Sequence, residues 1–191
     1  MKTIFMTLVI SIQFISFNSV ADLKIADFNI PEKILIEKKT LELNGTAFRT
    51  VSMLNVKVWL STLYLETLEK TAEKILDSKT VKVIDLYPMY EISAADSAKG
   101  WKLAFDDNCE TKCEMLKSEI ARFMATIPQF KKSDRYRYIF LTSEVKFLLN
   151  EKELFHSTSV DFTRLLLSTW IGNKPPTPEV KTGLLKGSVK L

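Results

Sequence analysis

The sequence predicts an α+β fold in which an antiparallel β-sheet is covered on one face by a layer of helices. Short β-type segments fill the first half of the chain, whereas segments with helical periodicity are grouped later. Short turns separate neighbouring strand segments, as in hairpins. No repeat, low-complexity tract or long linker divides the chain after residue 21. The remaining 170 of the 191 residues suffice for one domain with a substantial core, and are too few for two.

The first 21 residues have the pattern of a secretory signal peptide. Lys2 is followed by an apolar run over residues 4–17, and the small-residue sequence SVA ends at Ala21. An uncleaved membrane anchor is the alternative, but this run is shorter than the roughly 20 residues of a bilayer-spanning helix. We therefore expect cleavage after Ala21 and a mature domain of residues 22–191 without a stable membrane anchor. The protein is expected to be exported, either to a periplasm or as a secreted protein.

Turn signals and apolar runs predict the strands. Asn44-Gly45 is typical of a hairpin turn because both residues tolerate positive φ. The nearly continuous apolar run VKVWLSTLYL predicts a strand inside the sheet, and Pro88 marks an edge or a bulge in a later strand. The predicted strands cover residues 33–37, 40–44, 48–52, 56–65, 81–92, 135–142, 144–149 and 153–156.

Capping patterns predict where the helices begin and end. Ser93 and Asp96 have the spacing of a capping box, and Ser159 is in position to cap a helix that Gly172 ends. The predicted helices cover residues 71–77, 93–108, 114–126, 160–171 and 179–186.

Composition excludes several classes of function. The formal net charge is +4, the basic residues are spread along the chain, and neither a glycine-rich phosphate loop nor an aromatic RNA-binding pattern is present, so no nucleic-acid partner is expected. Cys109 and Cys113 favour a disulfide in an oxidising compartment. A metal site would need more ligands than these cysteines, and His156 is the only histidine. No nucleophile elbow accompanies His156, and we expect neither a metal nor a cofactor.

A few polar side chains in apolar surroundings are the candidate site residues. Arg49 begins a strand that should face inward, where a guanidinium needs an anionic partner. Trp101 and Asn108 share one face of the first long helix, and Thr169 lies in the last turn of the C-terminal helix. Core packing is the alternative interpretation for the aromatic residues.

These residues stand in motifs that resemble the chalcone isomerase-like family. The motifs are LNG with Arg49 and VKVWLSTLYL, then AAD with Trp101, Phe105 and the Asn108-Cys109 pair, then LLLSTWIG and the closing KTGLLKG. The resemblance covers roughly residues 38–187. It implies an open-faced β-sandwich, a long antiparallel sheet with a layer of helices over a ligand cleft. In the plant enzymes of the family a phenolate adds to an enone, without a cofactor, and closes a flavanone ring.

The resemblance also implies a ligand-binding set. Arg49 matches the arginine that attracts the anionic substrate, Asn108 matches the helical asparagine, and Thr169 matches a Ser/Thr near the C-terminus. Trp59 and Trp101 stand where the enzymes place a Thr and a catalytic Tyr. Indole offers one N–H donor in place of a hydroxyl, and losing such a donor typically costs about 10²–10³ in rate.

Three functions follow from these observations. The leading prediction is a non-catalytic binder of a small amphipathic anion such as a fatty acid, which some members of the family bind. The second is a cofactor-free intramolecular lyase of the chalcone isomerase type. The third is a structural or interaction protein of the envelope whose cleft is plugged by Trp59, Trp101 and Trp170.

Overall fold

Seven antiparallel strands form one curled sheet in the computed structural model, which describes residues 22–51, 54 and 56–188. The predicted signal peptide, residues 1–21, lies outside the described residues. A separate hairpin precedes the sheet, and strand order in the sheet follows chain order. The strands are β1 (Asp22–Ile25) and β2 (Phe28–Pro31) in the hairpin, then β3 (Lys33–Ile36), β4 (Lys39–Val51), β5 (Val56–Leu65), β6 (Lys82–Pro88), β7 (Tyr136–Phe140), β8 (Val145–Leu149) and β9 (Lys152–Ser157) in the sheet.

Helices cover one face of this sheet, so the predicted α+β class and the open-faced sandwich are confirmed. Ser93 caps α2 as predicted, since its hydroxyl accepts a hydrogen bond from the Asp96 amide at 3.1 Å. The Asp96 carboxylate accepts from the Ser93 hydroxyl at 2.7 Å and not from an orphan amide, so only half of the predicted capping box forms. Ser159 caps the fourth helix as expected, and Gly172 ends it. The helices are α1 (Ala72–Asp77), α2 (Ala94–Asn108), α3 (Cys113–Met124), α4 (Val160–Ile171) and α5 (Pro178–Leu184).

The predicted turn at Asn44-Gly45 is wrong. Both residues lie inside β4, at a register shift in its pairing with β5. The chain turns earlier, at Glu37 and Lys38, whose φ angles of 48° and 65° are in the left-handed region. One long strand therefore replaces the predicted segments 40–44 and 48–52.

Contacts with α5 explain why Asn44 and Gly45 occur in the middle of a strand. The Asn44 amide donates to Leu184 O at 2.8 Å, and its oxygen accepts from the Glu69 amide at 2.9 Å. A Cβ atom on Gly45 would lie 2.2 Å from Gly183 O. These residues allow the backbone of α5 to pack directly against β4. Local sequence patterns do not reveal this packing role.

The β1–β2 hairpin covers the opposite face of the sheet, which sequence reasoning did not predict. Leu23 and Ile30 are buried there and join an apolar cluster with residues of β4, β5 and β6. The Tyr64 hydroxyl donates to Pro31 O at 3.0 Å and fixes the end of the hairpin. The hairpin thus covers part of the face that the helices leave open.

A buried ion pair lies on this second face. The Arg137 guanidinium donates from Nε and Nη2 to the two carboxylate oxygens of Asp85, both at 2.7 Å. Burial opposes the positive charge, but hydrogen bonding and attraction to Asp85 outweigh it and raise the pKa of Arg137. Because β6 and β7 pair antiparallel with these residues directly opposite, the pair ties the centre of the sheet together.

Candidate ligand-binding site

Arg49 stands on the helix-covered face of β4, beside Trp59 of β5. The two residues are opposite each other in the strand register, and Arg49 Cζ lies 4.5 Å from the Trp59 ring centroid. This is the geometry of a cation–π contact, which neutralises no charge. Both side chains are half-buried.

No acidic side chain pairs with Arg49 among the residues the structure describes. Arg49 Nε and Trp59 Nε1 are enclosed, and neither has a hydrogen-bond partner within those residues. Desolvation lowers the pKa of Arg49 from its usual value. An arginine keeps its charge at neutral pH, so this guanidinium can attract an anion. A carboxylate, with two oxygens in one plane, matches its fork of donors.

The centre of the space between the sheet and the helices is filled by aromatic rings. Trp101 of α2 is 9% exposed, and its ring centroid lies 4.9 Å from Phe123 and 5.2 Å from Trp170. Tyr138 of β7 closes the cluster at 5.7 Å from Trp101 and 4.9 Å from Trp170. Trp101 is therefore a core residue in this structure, and a ligand has no room beside it without displacing a ring.

Tyr138 is a polar group in this cluster that sequence reasoning missed. Its side chain is fully buried, and its hydroxyl has no hydrogen-bond partner within the described chain. Desolvation raises the pKa of Tyr138 well above its usual value, so the hydroxyl stays protonated. Alternation along YRYIF predicts that Tyr136 and Tyr138 share one face, but the missing partner is visible only in three dimensions.

Asn108 and Thr169 are occupied by backbone contacts. The Asn108 amide nitrogen donates to Ala104 O at 2.9 Å and to Lys174 O at 2.8 Å, so it fixes the segment after α4. The Thr169 hydroxyl donates to Leu166 O at 2.7 Å inside its own helix. The structure therefore pairs Arg49 with Trp59, and it leaves the other predicted site residues in separate structural roles.

Cys109 and Cys113 form a disulfide, as predicted, with their Cα atoms 5.1 Å apart. The bridge joins the end of α2 to the start of α3 through a short 3-10 turn. A cavity of about 170 Å³ lies beside it, walled by charged residues such as Arg164 and Asp161. Both of these residues are already ion-paired, Arg164 with Glu73 and Asp161 with an exposed lysine. This cavity does not suit an apolar ligand.

An open groove of about 510 Å³ lies between β4 and α5. Its size falls in the range of small-molecule sites, roughly 300–1,000 Å³. Its lining is mixed: Ala47, Phe48 and Pro178 are apolar, whereas polar and charged side chains complete it, namely Thr46, Thr182, Glu179 and Lys186. Arg49 follows Ala47 by two residues, about 7 Å further along the same face of the strand. The groove and the guanidinium together provide an open, partly apolar surface with a cation near one end.

Within residues 22–51, 54 and 56–188, no group of three or more His, Cys, Asp or Glu side chains could hold a metal ion. The Nε2 atom of His156, on β9, instead lies 2.8 Å from a carboxylate oxygen of Glu144, the residue before β8. No helix of the described part of the chain is both long enough and apolar enough to cross a bilayer.

Residues 22–186 match the family described as chalcone isomerase-like, which is nearly the whole of the described chain. The chain belongs to the chalcone isomerase-like family. Its fold is similar to that of the Arabidopsis thaliana fatty-acid binding protein AtFAP1, with a TM-score of 0.66 and 14% sequence identity over 83% of this chain and 92% of that one. At this identity the likeness concerns the fold. No curated protein sequence matches the chain.

Family membership explains the order of the motifs along the chain. The LNG and KTGLLKG motifs of this chalcone isomerase-like domain meet where Gly45 of β4 touches Gly183 of α5. The helix motif and LLLSTWIG meet in the contact of Trp101 with Trp170. Many residues that carry the resemblance therefore hold the fold together, whereas Arg49 and Trp59 keep polar atoms without a partner among the described residues.

Proposed function

We propose that the mature chain is an exported, non-catalytic binder of a small amphipathic anion such as a fatty acid. Arg49 would pair with the carboxylate, and the apolar chain would lie in the groove between β4 and α5. The observation that carries the proposal is the desolvated guanidinium of Arg49, which no carboxylate of the described residues neutralises. The similar fold of a fatty-acid binding protein supports the choice of ligand class.

The chemistry around Arg49 supports binding over catalysis. Cyclisation of a chalcone requires donors aimed at the oxygen on which charge develops. Trp59 and Trp101 stand where the resemblance places hydroxyls, and Trp101 is packed among other rings. The remaining hydroxyl in that cluster belongs to Tyr138, which is fully enclosed. We therefore expect 2′-hydroxychalcone to cyclise at close to its spontaneous rate.

Calorimetric titration of the delipidated mature protein with dodecanoate tests the proposal. Arg49→Met should weaken binding about tenfold to a hundredfold, the loss of roughly 1.5–3 kcal/mol that a charge-assisted hydrogen bond contributes. Arg122→Met is the matched control, because Arg122 also stands over an aromatic ring, 5.4 Å from Phe155, but is paired with Glu119. The control should bind like the wild type. Equal binding by Arg49→Met and the wild type would disprove the anchor role.

The filled centre of the cleft supports a second candidate, an envelope interaction protein that takes no small ligand. Trp101, Trp170, Phe123 and Tyr138 occupy the space that a buried ligand would need. Native mass spectrometry of protein taken from its own compartment separates the two. A co-purified fatty acid supports the binder, and an unliganded protein that also ignores dodecanoate supports the second candidate.

Export is part of the proposal and has its own test. Cleavage after Ala21 would leave Asp22, the first residue of β1, as the new N-terminus. N-terminal sequencing of protein from the periplasm or the medium should read DLKIADF. A soluble cytoplasmic product that retains Met1 would contradict export.

A further inference from the structure

The groove between β4 and α5 has a definite direction, because the helix runs opposite to the strand. The Asn44 amide donates to Leu184 O at 2.8 Å. Three residues further along the strand, Ala47 faces the preceding residue of the helix, since a Cβ atom on Gly183 would lie 2.7 Å from the Ala47 Cβ atom. Lys186 follows Leu184 and therefore lies towards the Asn44 end of the groove.

The segment after α5 gives the same placement by a second route. Gly187 packs against Lys70, because a Cβ atom on Gly187 would lie 2.7 Å from Lys70 Cγ. Lys70 follows Glu69, whose backbone amide donates to the Asn44 side chain and whose carbonyl oxygen accepts from it, both at 2.9 Å. The end of α5 is thus held beside Asn44.

A cation without an ion pair lies at each end of the groove. Arg49 is five residues along β4 from Asn44, which is about 16 Å at the rise of a β-strand. Its guanidinium has no acidic partner within the described residues. At the opposite end Lys186 lines the groove, is exposed, and makes no ion pair with a residue that the structure describes.

The acidic side chains near the groove are held by other groups. Glu179 lies at the start of α5, where a hydrogen bond from its own backbone amide lowers the pKa of its carboxyl. Glu69 accepts from the next two backbone amides at 2.8 Å, and its carboxylate lies 3.6 Å from the Lys74 ammonium. Neither carboxylate forms an ion pair with Arg49 or Lys186. Both cations are therefore available to a ligand.

The lining changes in character between the two ends. Phe48 and Pro178 make the part near Arg49 apolar, whereas Thr182 and Lys186 make the other part polar. A simple fatty acid anchored at Arg49 would bring its methyl end to these polar side chains, where an apolar group gains little. A second carboxylate at that position would meet a cation.

We propose that the preferred ligand of this groove is an α,ω-dicarboxylate, an aliphatic chain with an ionised carboxylate at each end. Arg49 binds one carboxylate, Lys186 binds the other, and the chain lies across Ala47 and Phe48. This inference rests on the proposed function, because it concerns the same groove and the same arginine. It narrows the ligand class from a small amphipathic anion to one with two charged ends.

Calorimetric titration of the delipidated mature protein with dodecanoate and with dodecanedioate tests the inference. The two acids have chains of the same length and differ only at the far end. Dodecanedioate should bind at least as tightly as dodecanoate and up to about fivefold more tightly, the range of an exposed ion pair. If the far end of the groove were apolar, the second carboxylate would lose its hydration without compensation, and dodecanedioate would bind more than about tenfold more weakly.

Two substitutions separate the two ends of the groove. Arg49→Met should weaken the binding of both acids, whereas Lys186→Met should weaken dodecanedioate by up to about fivefold and leave dodecanoate unchanged. The matched control is Lys24→Met. Lys24 is also exposed and without an ion pair in the described chain, and it lies on β1, on the opposite face of the sheet. The control should bind both acids like the wild type.

The outcomes distinguish this inference from the proposed function. A wild type that binds dodecanoate well and dodecanedioate more than about tenfold more weakly would overturn the inference alone. Equal losses for the two acids in Lys186→Met would also overturn it, because Lys186 would then contact the carboxylate that both acids share. A wild type that binds neither acid would refute the proposed function together with this inference.

Discussion

Replacing Gly45 by alanine should destabilise the domain far more than a glycine substitution in a strand usually does. The new Cβ would lie 2.2 Å from Gly183 O, 2.5 Å from Leu184 O and 2.7 Å from the carbonyl carbon of Leu184. All three are backbone atoms of one helix, so no side chain can rotate away. Gly45 does not have the left-handed φ that disfavours other residues, so the cost is steric.

The magnitude follows from what must move. Relief of contacts this short requires α5 to shift away from β4, and overpacking of this kind typically costs about 1–3 kcal/mol. The shift would also stretch the buried hydrogen bond from Asn44 to Leu184 O, now 2.8 Å, whose loss adds about 1 kcal/mol. We therefore expect Gly45→Ala to lower the free energy of unfolding by about 3 kcal/mol.

Urea unfolding followed by tryptophan fluorescence measures this change, and Gly100→Ala is the control. Gly100 lies within α2, and a Cβ there would meet nothing within 4 Å. Alanine at that site should stabilise the domain by about 0.5–1 kcal/mol, because it favours helix. A Gly45→Ala variant within about 0.5 kcal/mol of the wild type would refute the close approach of α5 to β4.

Three further predictions concern buried charge and the disulfide. Burial lowers the pKa of Lys82 to about 8. Just above that pH the unfolded chain binds more protons than the folded one, so the free energy of unfolding should rise by about 1–2 kcal/mol between pH 8 and about 9.5. Urea titrations at several pH values should show this rise, and Lys82→Met should remove it. Asp85→Asn should cost about 3–5 kcal/mol in the same assay, because it leaves the Arg137 charge buried without its partner. Reduction of the Cys109–Cys113 bridge should lower the free energy of unfolding by about 2 kcal/mol, the chain-entropy value for so small a loop. Thiol counting on unfolded protein from its native compartment should find no free thiol. Two free thiols would contradict the bridge.

Local signals were sufficient where structure depends on neighbours in sequence. The N-cap at Ser93, the end of α4 at Gly172 and the bridge between Cys109 and Cys113 each involve groups within a few residues of one another. The apolar run of β5 was recognised for the same reason, since a strand inside a sheet needs little but apolar residues. The α+β class and the family resemblance follow from the order of these elements.

The same kind of signal failed at Asn44-Gly45, and the reason is distance along the chain. Both residues contact α5, about 140 positions later in the chain. A site where a helix packs on the strand backbone therefore has the same local sequence pattern as a hairpin turn. The β1–β2 hairpin was missed because its strands have four residues each, and because its stability comes from the sheet beneath it.

The sequence by itself determined the class of fold, the family and the disulfide. It also made Arg49 a candidate site residue, because an arginine in an apolar strand favours an anionic partner wherever the strand lies. The tertiary structure decided which of the predicted site residues meet. It placed Trp101 in a packed aromatic cluster, committed the Asn108 amide to Lys174 O, and set the Arg49 guanidinium over the Trp59 ring. How deeply a side chain is buried, and whether it finds a partner among the described residues, depends on groups that come together only on folding. Sequence spacing therefore does not reveal either property.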